Sequence, residues 1–381
     1  MSILIPQRRP KYEFLAETPK EDGTYDLPYW MTVLAGANAT TSQTSGHSFR
    51  TGFSLDARAR NVGLGWGLSI ENARNNRVHW SEIDAVNWTL VNTAIFLGQQ
   101  RPGPSSNVDS IWLADSSGVA IGTATLAGVA GTVGATSVLS AWLHRLARIP
   151  DTITTPPVNC TFEASPGAVS TVPWPIPNWA RFETPTFVAA VGNSVIVTPS
   201  PTAANRQDAV SICHFQQEEG KYPTSFIPTA GLFAARGADV IQLVGPTTLI
   251  EGGFFDLDLL IAPAYAQNEM ATGAEHNLLF VDANNRLFLR ESDKAVVLRL
   301  NAVELAVAGQ VWARNSTVRV RARHLAGQSQ VEINTATGGG SASGPAQPAL
   351  VIGGAVYMMG TAAGAEEAAD VRRISWHAPR T

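Results

Sequence analysis

The chain has 381 residues, 45% of them apolar and only 15% charged, with 27 Lys and Arg against 31 Asp and Glu for a net charge of −4. That length exceeds what one ordinary core organises and predicts two domains plus an extension, while the apolar content excludes a disordered chain. With no block of basic residues, the balance also excludes a nucleic-acid footprint.

Residues 1 to 30 mix Arg8, Arg9, Lys11, Lys20, Glu13, Glu17, Glu21, Asp22 and Asp26 with Pro6, Pro10, Pro19 and Pro28. Such a segment is a flexible arm unless it is held against the body or a neighbouring subunit. We read 1–30 as an attachment arm and 31–62 as a lead-in. The N-terminus places a short apolar patch before its charges, the reverse of a secretory signal, and so predicts none. The four Asn-x-Ser/Thr sites at Asn38, Asn87, Asn159 and Asn315 carry little weight without one.

From about Gly63 to Asp239 short runs alternate with turn residues: "GLGWGLSI", "NWTLVNTAIFL", "SIWLAD", "VLSAWLHRL", "ARFETPTFVAAV", "NSVIVTPS" and "AVSICHF". Their length and their β-branched and aromatic content predict an antiparallel β domain over 63–239. The uncharged run from Ser116 to Trp142 is broken by Gly, Ser and Thr, so short strands explain it better than a membrane span. "SVLSAWLHRLARI" is the one helix candidate, and a core strand is preferred there.

A second set fills 240–381: "FFDLDLLIA", "HNLLFVD", "RLFLR", "AVVLRL", "VELAV", "TVRVRAR", "QVEINT", "ALVIGG" and "VRRISWH". Its strand spacing suits a second β-sandwich. "TGGGSASGPAQP" at 337–348 predicts a long flexible loop. Arg319, Arg321 and Arg323 alternate with Val318, Val320 and Ala322, which puts the arginines on one strand face; an exposed sheet face is preferred to a phosphate track.

Catalytic chemistry finds little support. Glu218 and Glu219 are adjacent, so on a strand they point to opposite faces, whereas glycoside hydrolysis needs two carboxylates facing one bond across roughly 5 to 10 Å. Asp256 and Asp258 share a face, as solvent-facing acids of an amphipathic strand do. Histidines 47, 79, 144, 214, 276, 324 and 377 are scattered, and Cys160 and Cys213 lack any CxxC spacing; no metal, calcium or other cofactor is predicted. The cysteines read as buried thiols, and the redox compartment stays open. No GxSxG surrounds a serine, and "GLGWGL" precedes no phosphate-binding helix.

The stretch "HFQQEEGKYPTSFIPTAGLFAARGADVI" at 214–241 reads as a joint between folded units. Pro223 and Pro228 fix φ and remove donors, giving a stiff extended connector. Tyr222, Phe226 and Ile227 can cover the edge of the first module, Glu219 sits at the turn, and Arg236 with Asp239 can pin the exit. Tyr222 also admits a sugar contact. For a sugar platform the best candidate is Trp174, between prolines in "VPWPIPNW", since an indole face stacks on a pyranose; packing against a subunit neighbour suits it equally. Trp66, Trp80, Trp88, Trp112 and Trp179 are expected in cores.

Two motifs carry a resemblance. "FQQEEGKYPTSFIPT" followed by "RGADV" resembles the end of a carbohydrate-binding-module-like jelly roll common in bacteriophage structural proteins, where Gln-x-Glu-x-Gly leads into Tyr-Pro-Thr-Ser-Tyr-Ile-Pro-Thr and Arg-x-x-Asp; Phe226 replaces the second Tyr. "GLGWGLSIENARNN" is similar to the start of that module, with Glu71, Ala73, Arg74 and Asn76 in matching places and Asn75 where Thr is usual. Residues 240–381 resemble, by strand rhythm alone, the concanavalin A-like, lectin-type sandwich that often follows.

The resemblance implies an all-β chain: an extended arm, a jelly roll and a second β-sandwich. It implies a non-catalytic virion structural protein, such as a tail fibre, head fibre or spike, that adheres to host surface polysaccharide, or else a decoration protein of the particle. The partners implied are other virion proteins through residues 1–30 and a host glycan, with neither nucleic acid nor membrane insertion. The place implied is the virion surface, after assembly in the host cytoplasm. Such fibres are often trimers, so a closed homo-oligomer is implied.

Overall fold

The computed structural model describes residues 10–16, 27–34, 41–42, 49–50, 59–61, 66–81, 86–95, 111–115, 120–129, 131–145, 159–173, 176–199, 209–224, 226–227, 229, 231–366 and 368–379. Trp174 and Pro228 lie outside them. The fold is all-β and antiparallel, built as sandwiches. Two compact units emerge: an inserted unit from the described residues of 38–53 and 74–236, and an outer unit from those of 1–37, 54–73 and 237–381.

The inserted unit pairs two sheets. One runs Ile176–Glu183, Thr136–Arg145, Ala209–Glu219, Ile111–Asp115, Thr93–Ile95, with Phe187–Val188 also on Thr136–Arg145. The other runs Ala168–Val172, Cys160–Ser165, Asn193–Thr198, Thr123–Val129, Thr89–Val91. Strict alternation of buried and half-buried residues in Cys160–Ser165 and Asn193–Thr198 turns one face inward. Leu139, Ala141, Leu143, Ile212 and Phe215 of the first sheet meet Leu126, Phe162, Val195 and Val197 of the second in one core. Each large side chain buried this way contributes about 1.5–3 kcal/mol. Thr136–Arg145 is a strand, and the two cysteines are buried without a disulfide.

The outer unit pairs an eight-stranded and a seven-stranded sheet. The first runs Gly338–Pro345, Gln328–Thr335, Val318–His324, Phe255–Pro263, Ala369–His377, Trp66–Ile70, Ala59–Asn61. Tyr12–Leu15 and Trp66–Ile70 lie end to end along one edge of Ala369–His377, and Phe255–Pro263 takes the other edge. The second sheet runs Met31–Leu34, Val240–Leu243, Val356–Met358, Glu275–Asp282, Asn285–Arg290, Ala295–Leu300, Val303–Val307.

At four places the structure differs from the sequence reading. Within the stretch read as an arm and lead-in, residues 12–15 and 31–34 are sheet strands, because Phe14, Met31 and Val33 have apolar places to fill in this unit. Trp66–Ile70, read as the start of the first module, is a strand of the outer unit, where Leu68 and Ile70 are buried.

The Gly- and Ser-rich segment is a strand, Gly338–Pro345, paired along its length with Gln328–Thr335. Its composition reflects close packing rather than flexibility: a Cβ on Gly344 would sit 2.5 Å from Leu305, and one on Gly340 would sit 2.7 Å from Val307. Small residues let this edge approach the last strand of the other sheet.

"ALVIGG" forms no strand. It is a strap: Leu350 N donates to Gly253 O at 3.0 Å, and Pro348 O accepts from Asn301 Nδ2 at 3.1 Å and lies 3.1 Å from His324 Nε2. Its backbone partners are thus side chains and a turn instead of a ladder.

Candidate functional site

In the strand Ala209–Glu219, Gln216 and Glu218 share the face directed away from the main core, and the connector that follows folds back over that face. The buried Glu218 carboxylate accepts from Thr224 N at 2.7 Å, Thr224 Oγ1 at 2.5 Å and Gln216 Nε2 at 2.6 Å. Gln216 Oε1 accepts from Ile227 N at 2.6 Å. Asn76 donates to Phe215 O and Ile227 O and accepts from Val78 N and Gln217 N. Arg181 donates to Thr224 O and, at 2.8 Å, to Ser140 Oγ. A connector rich in proline has few ladder bonds available, and side chains supply the partners its buried backbone requires.

Aromatic packing seals the same face. Phe226 stacks on His214 at 4.2 Å and joins a small cluster with Trp142, Cys213 and Trp179. Tyr222 is 1% exposed, with the Arg74 guanidinium 5.1 Å from its ring centre. It offers no ring face to a ligand, so the sugar contact considered for it is set aside. Gly220 is required beneath Arg74: its φ is +125°, and a Cβ there would meet Arg74 Nη1 at 2.6 Å.

Glu219 points the other way, to Arg77 at 3.0 Å and to Thr132. The Thr132 hydrogen bond, then the Arg77 charge, hold its carboxyl below the ordinary value against the opposing loss of solvation. The two adjacent glutamates therefore serve separate networks. Pro223 is half-buried within the connector. Arg236 pairs with Arg74 in a short ladder of Ala234–Arg236 with Arg74–Asn76. In the outer unit the Asp239 carboxylate accepts from Glu71 N at 2.8 Å, while Asp239 N donates to Glu71 O.

The arginine stripe lies on the outer face of the eight-stranded sheet, and every member has an acid or amide partner. Arg319 grips Asp258 in a fork, with Nε to Oδ1 at 2.9 Å and Nη2 to Oδ2 at 2.6 Å. Arg321 grips Asp256 the same way at 2.9 and 2.8 Å. Arg323 bonds Gln330, and Arg373 approaches Asp258 at 3.5 Å. Asp256 and Asp258 were expected to face solvent, yet they are 7% and 4% exposed. Long arginine stems from the neighbouring strands cover them.

Among the described residues no group of three or more His, Cys, Asp or Glu could hold a metal ion, and no helix is long and apolar enough to cross a membrane. His276 Nδ1 lies 3.0 Å from the Tyr265 hydroxyl. Burial, then Glu366, pushes that phenol well above its ordinary value, so it keeps its proton at neutral pH.

The structure thus gathers Glu218, Tyr222, Pro223 and Phe226 around one connector and leaves Glu219 on the opposite side of the strand. Thr224, Gln216 and Arg181 escaped the sequence reading. The i, i+2 spacing of Gln216 and Glu218 was the available signal for the first contacts, since it puts an amide and a carboxylate on one strand face. No family model matches this chain, and no curated protein matches its sequence.

Proposed function

We propose that this chain is a non-catalytic surface protein of a bacteriophage or related gene-transfer particle, a fibre, spike or tail component that adheres to host cell-surface polysaccharide. One observation carries the reading: the two motifs behind the resemblance, far apart in sequence, interlock. Arg74 and Asn76 of the first hold Glu219 O, Phe215 O and Ile227 O of the second. Residues that coincide in two motifs and then bond one another belong to one structural device. Binding of this kind is weak per site and is strengthened by many copies.

The test is a glycan-array and whole-cell binding assay of the full-length protein beside Trp174→Ala. Saturable binding supports adhesion, and its loss in the variant places a platform at Trp174. A second reading, a decoration protein that seals contacts in the particle, is favoured by the burial of Tyr222 under Arg74. Under that reading the protein binds no host glycan yet co-sediments with particles.

A further inference from the structure

Tyr29 is 76% exposed. Single exposed apolar residues are common and need no explanation, but this one stands on a tied-down turn and beside a second ring. The turn beneath it closes with Met31 N donating to Pro28 O at 3.0 Å. The next residue, Trp30, is 3% exposed, and its carbonyl accepts from Val244 N at 2.7 Å. Tyr29 meets Tyr12 edge to face at 6.3 Å. Its phenol is held above the ordinary value, by loss of solvation first and then by a hydrogen bond with Tyr12. Tyr12 is itself set in the ladder with Trp376. Lys11 Nζ lies 5.5 Å from the Tyr12 ring centre and 3.0 Å from Glu251 Oε2. Two neighbouring rings thus stand together with an amine and a carboxylate close by.

We propose that Tyr29, with Tyr12 beside it and Lys11 and Glu251 at its rim, is the platform for one pyranose ring of a polysaccharide. This rests on the adhesion reading and gives it a place. The apolar face of the sugar stacks on the Tyr29 ring, while its hydroxyls exchange hydrogen bonds with the ammonium and the carboxylate. Size favours a sugar over a protein. Two aromatic side chains bury at most about 300–500 Å², well below the ~800 Å² per partner of a stable protein interface. Because the turn that carries the ring is already tied down by backbone hydrogen bonds, little backbone ordering is left for the ligand to drive.

The experiment measures binding of the full-length protein to a polysaccharide array for wild type, Tyr29→Ala, Tyr29→Phe and Trp174→Ala, with light scattering and thermal melting of each. The proposal expects about tenfold weaker binding in Tyr29→Ala, a modest free-energy loss on the usual affinity scale, with Tyr29→Phe within about twofold of wild type. Wild-type melting and mass in both variants exclude misfolding. If wild type binds and Tyr29→Ala binds equally well, the platform is overturned while adhesion stands. If wild type binds nothing on any array, adhesion and platform fall together. A lower oligomeric mass in Tyr29→Ala alone would assign the ring to assembly and overturn the proposal.

Discussion

Both units bury carboxylates on the outer face of their larger sheet, with opposite kinds of partner. In the inserted unit, the donors described for Glu218 are neutral, two of them from the single residue Thr224 of a connector folded back over the strand. In the outer unit, Asp256 and Asp258 are covered by arginines from the flanking strands, several guanidiniums serving two carboxylates. Neutral donors must meet the full desolvation of a buried anion by geometry alone, so each is indispensable. A lattice of cations shares the load, and each member is partly exposed, where pairs contribute less.

The largest effect should come from Glu218→Ala, which removes the acceptor shared by Thr224 N, Thr224 Oγ1 and Gln216 Nε2; we expect about 3 kcal/mol of destabilisation in urea melts. Glu218→Gln should recover little, because its amide turns a donor toward donors. A loss under about 1 kcal/mol in both variants would erase the distinction between the two faces.

Next in size is Gly344→Val. It drives a branched side chain into Leu305 and should cost about 2 kcal/mol, and it asks whether the outer unit depends more on the closeness of its sheets than on its charges. Asp258→Ala should cost about 1–2 kcal/mol at low salt and measurably less in 1 M salt, whereas the Glu218→Ala loss should not change with salt. Equal salt responses would break the comparison.

The smallest effect concerns His324, inside the outer unit. Burial holds this imidazole below its ordinary 6.5, against the raising effect of its bond to Pro348 O. The folded state favours the neutral ring, so its contribution is full above about pH 6.5 and is lost as pH falls through the folded pKa. His324→Gln should flatten part of the acid limb of a stability profile; His377, lowered first by burial as well, retains the rest. An unchanged profile in the variant would count against this assignment.

Alternation and turn residues made most strands legible: Val318–His324 read directly as two faces, and Asn193–Thr198 as a short β run. Gly338–Pro345 was illegible because glycine usually signals freedom, and the reason for it lies in Leu305 and Val307, on a strand that local sequence cannot place alongside. "ALVIGG" misled in the opposite sense, since it runs as a strap that buries Leu350 and leaves Val351 exposed. For the site, the QxE spacing was visible, but Thr224 was not, because a threonine beside proline has no periodic signature. Tyr29 was hidden by the charges around it, which made the whole stretch read as an arm.

Ala369–His377 lies later in the chain than every strand it joins, and Ser375 reaches back to Glu13 across 362 positions. During synthesis the inserted unit leaves the ribosome whole while the outer unit still lacks its middle strand, with Tyr12–Leu15, Trp66–Ile70 and Phe255–Pro263 all waiting for an edge to pair with. Until translation reaches those last residues, the nascent outer unit exposes open strand edges, and a ribosome that stops short releases a chain with one finished unit and one prone to aggregate.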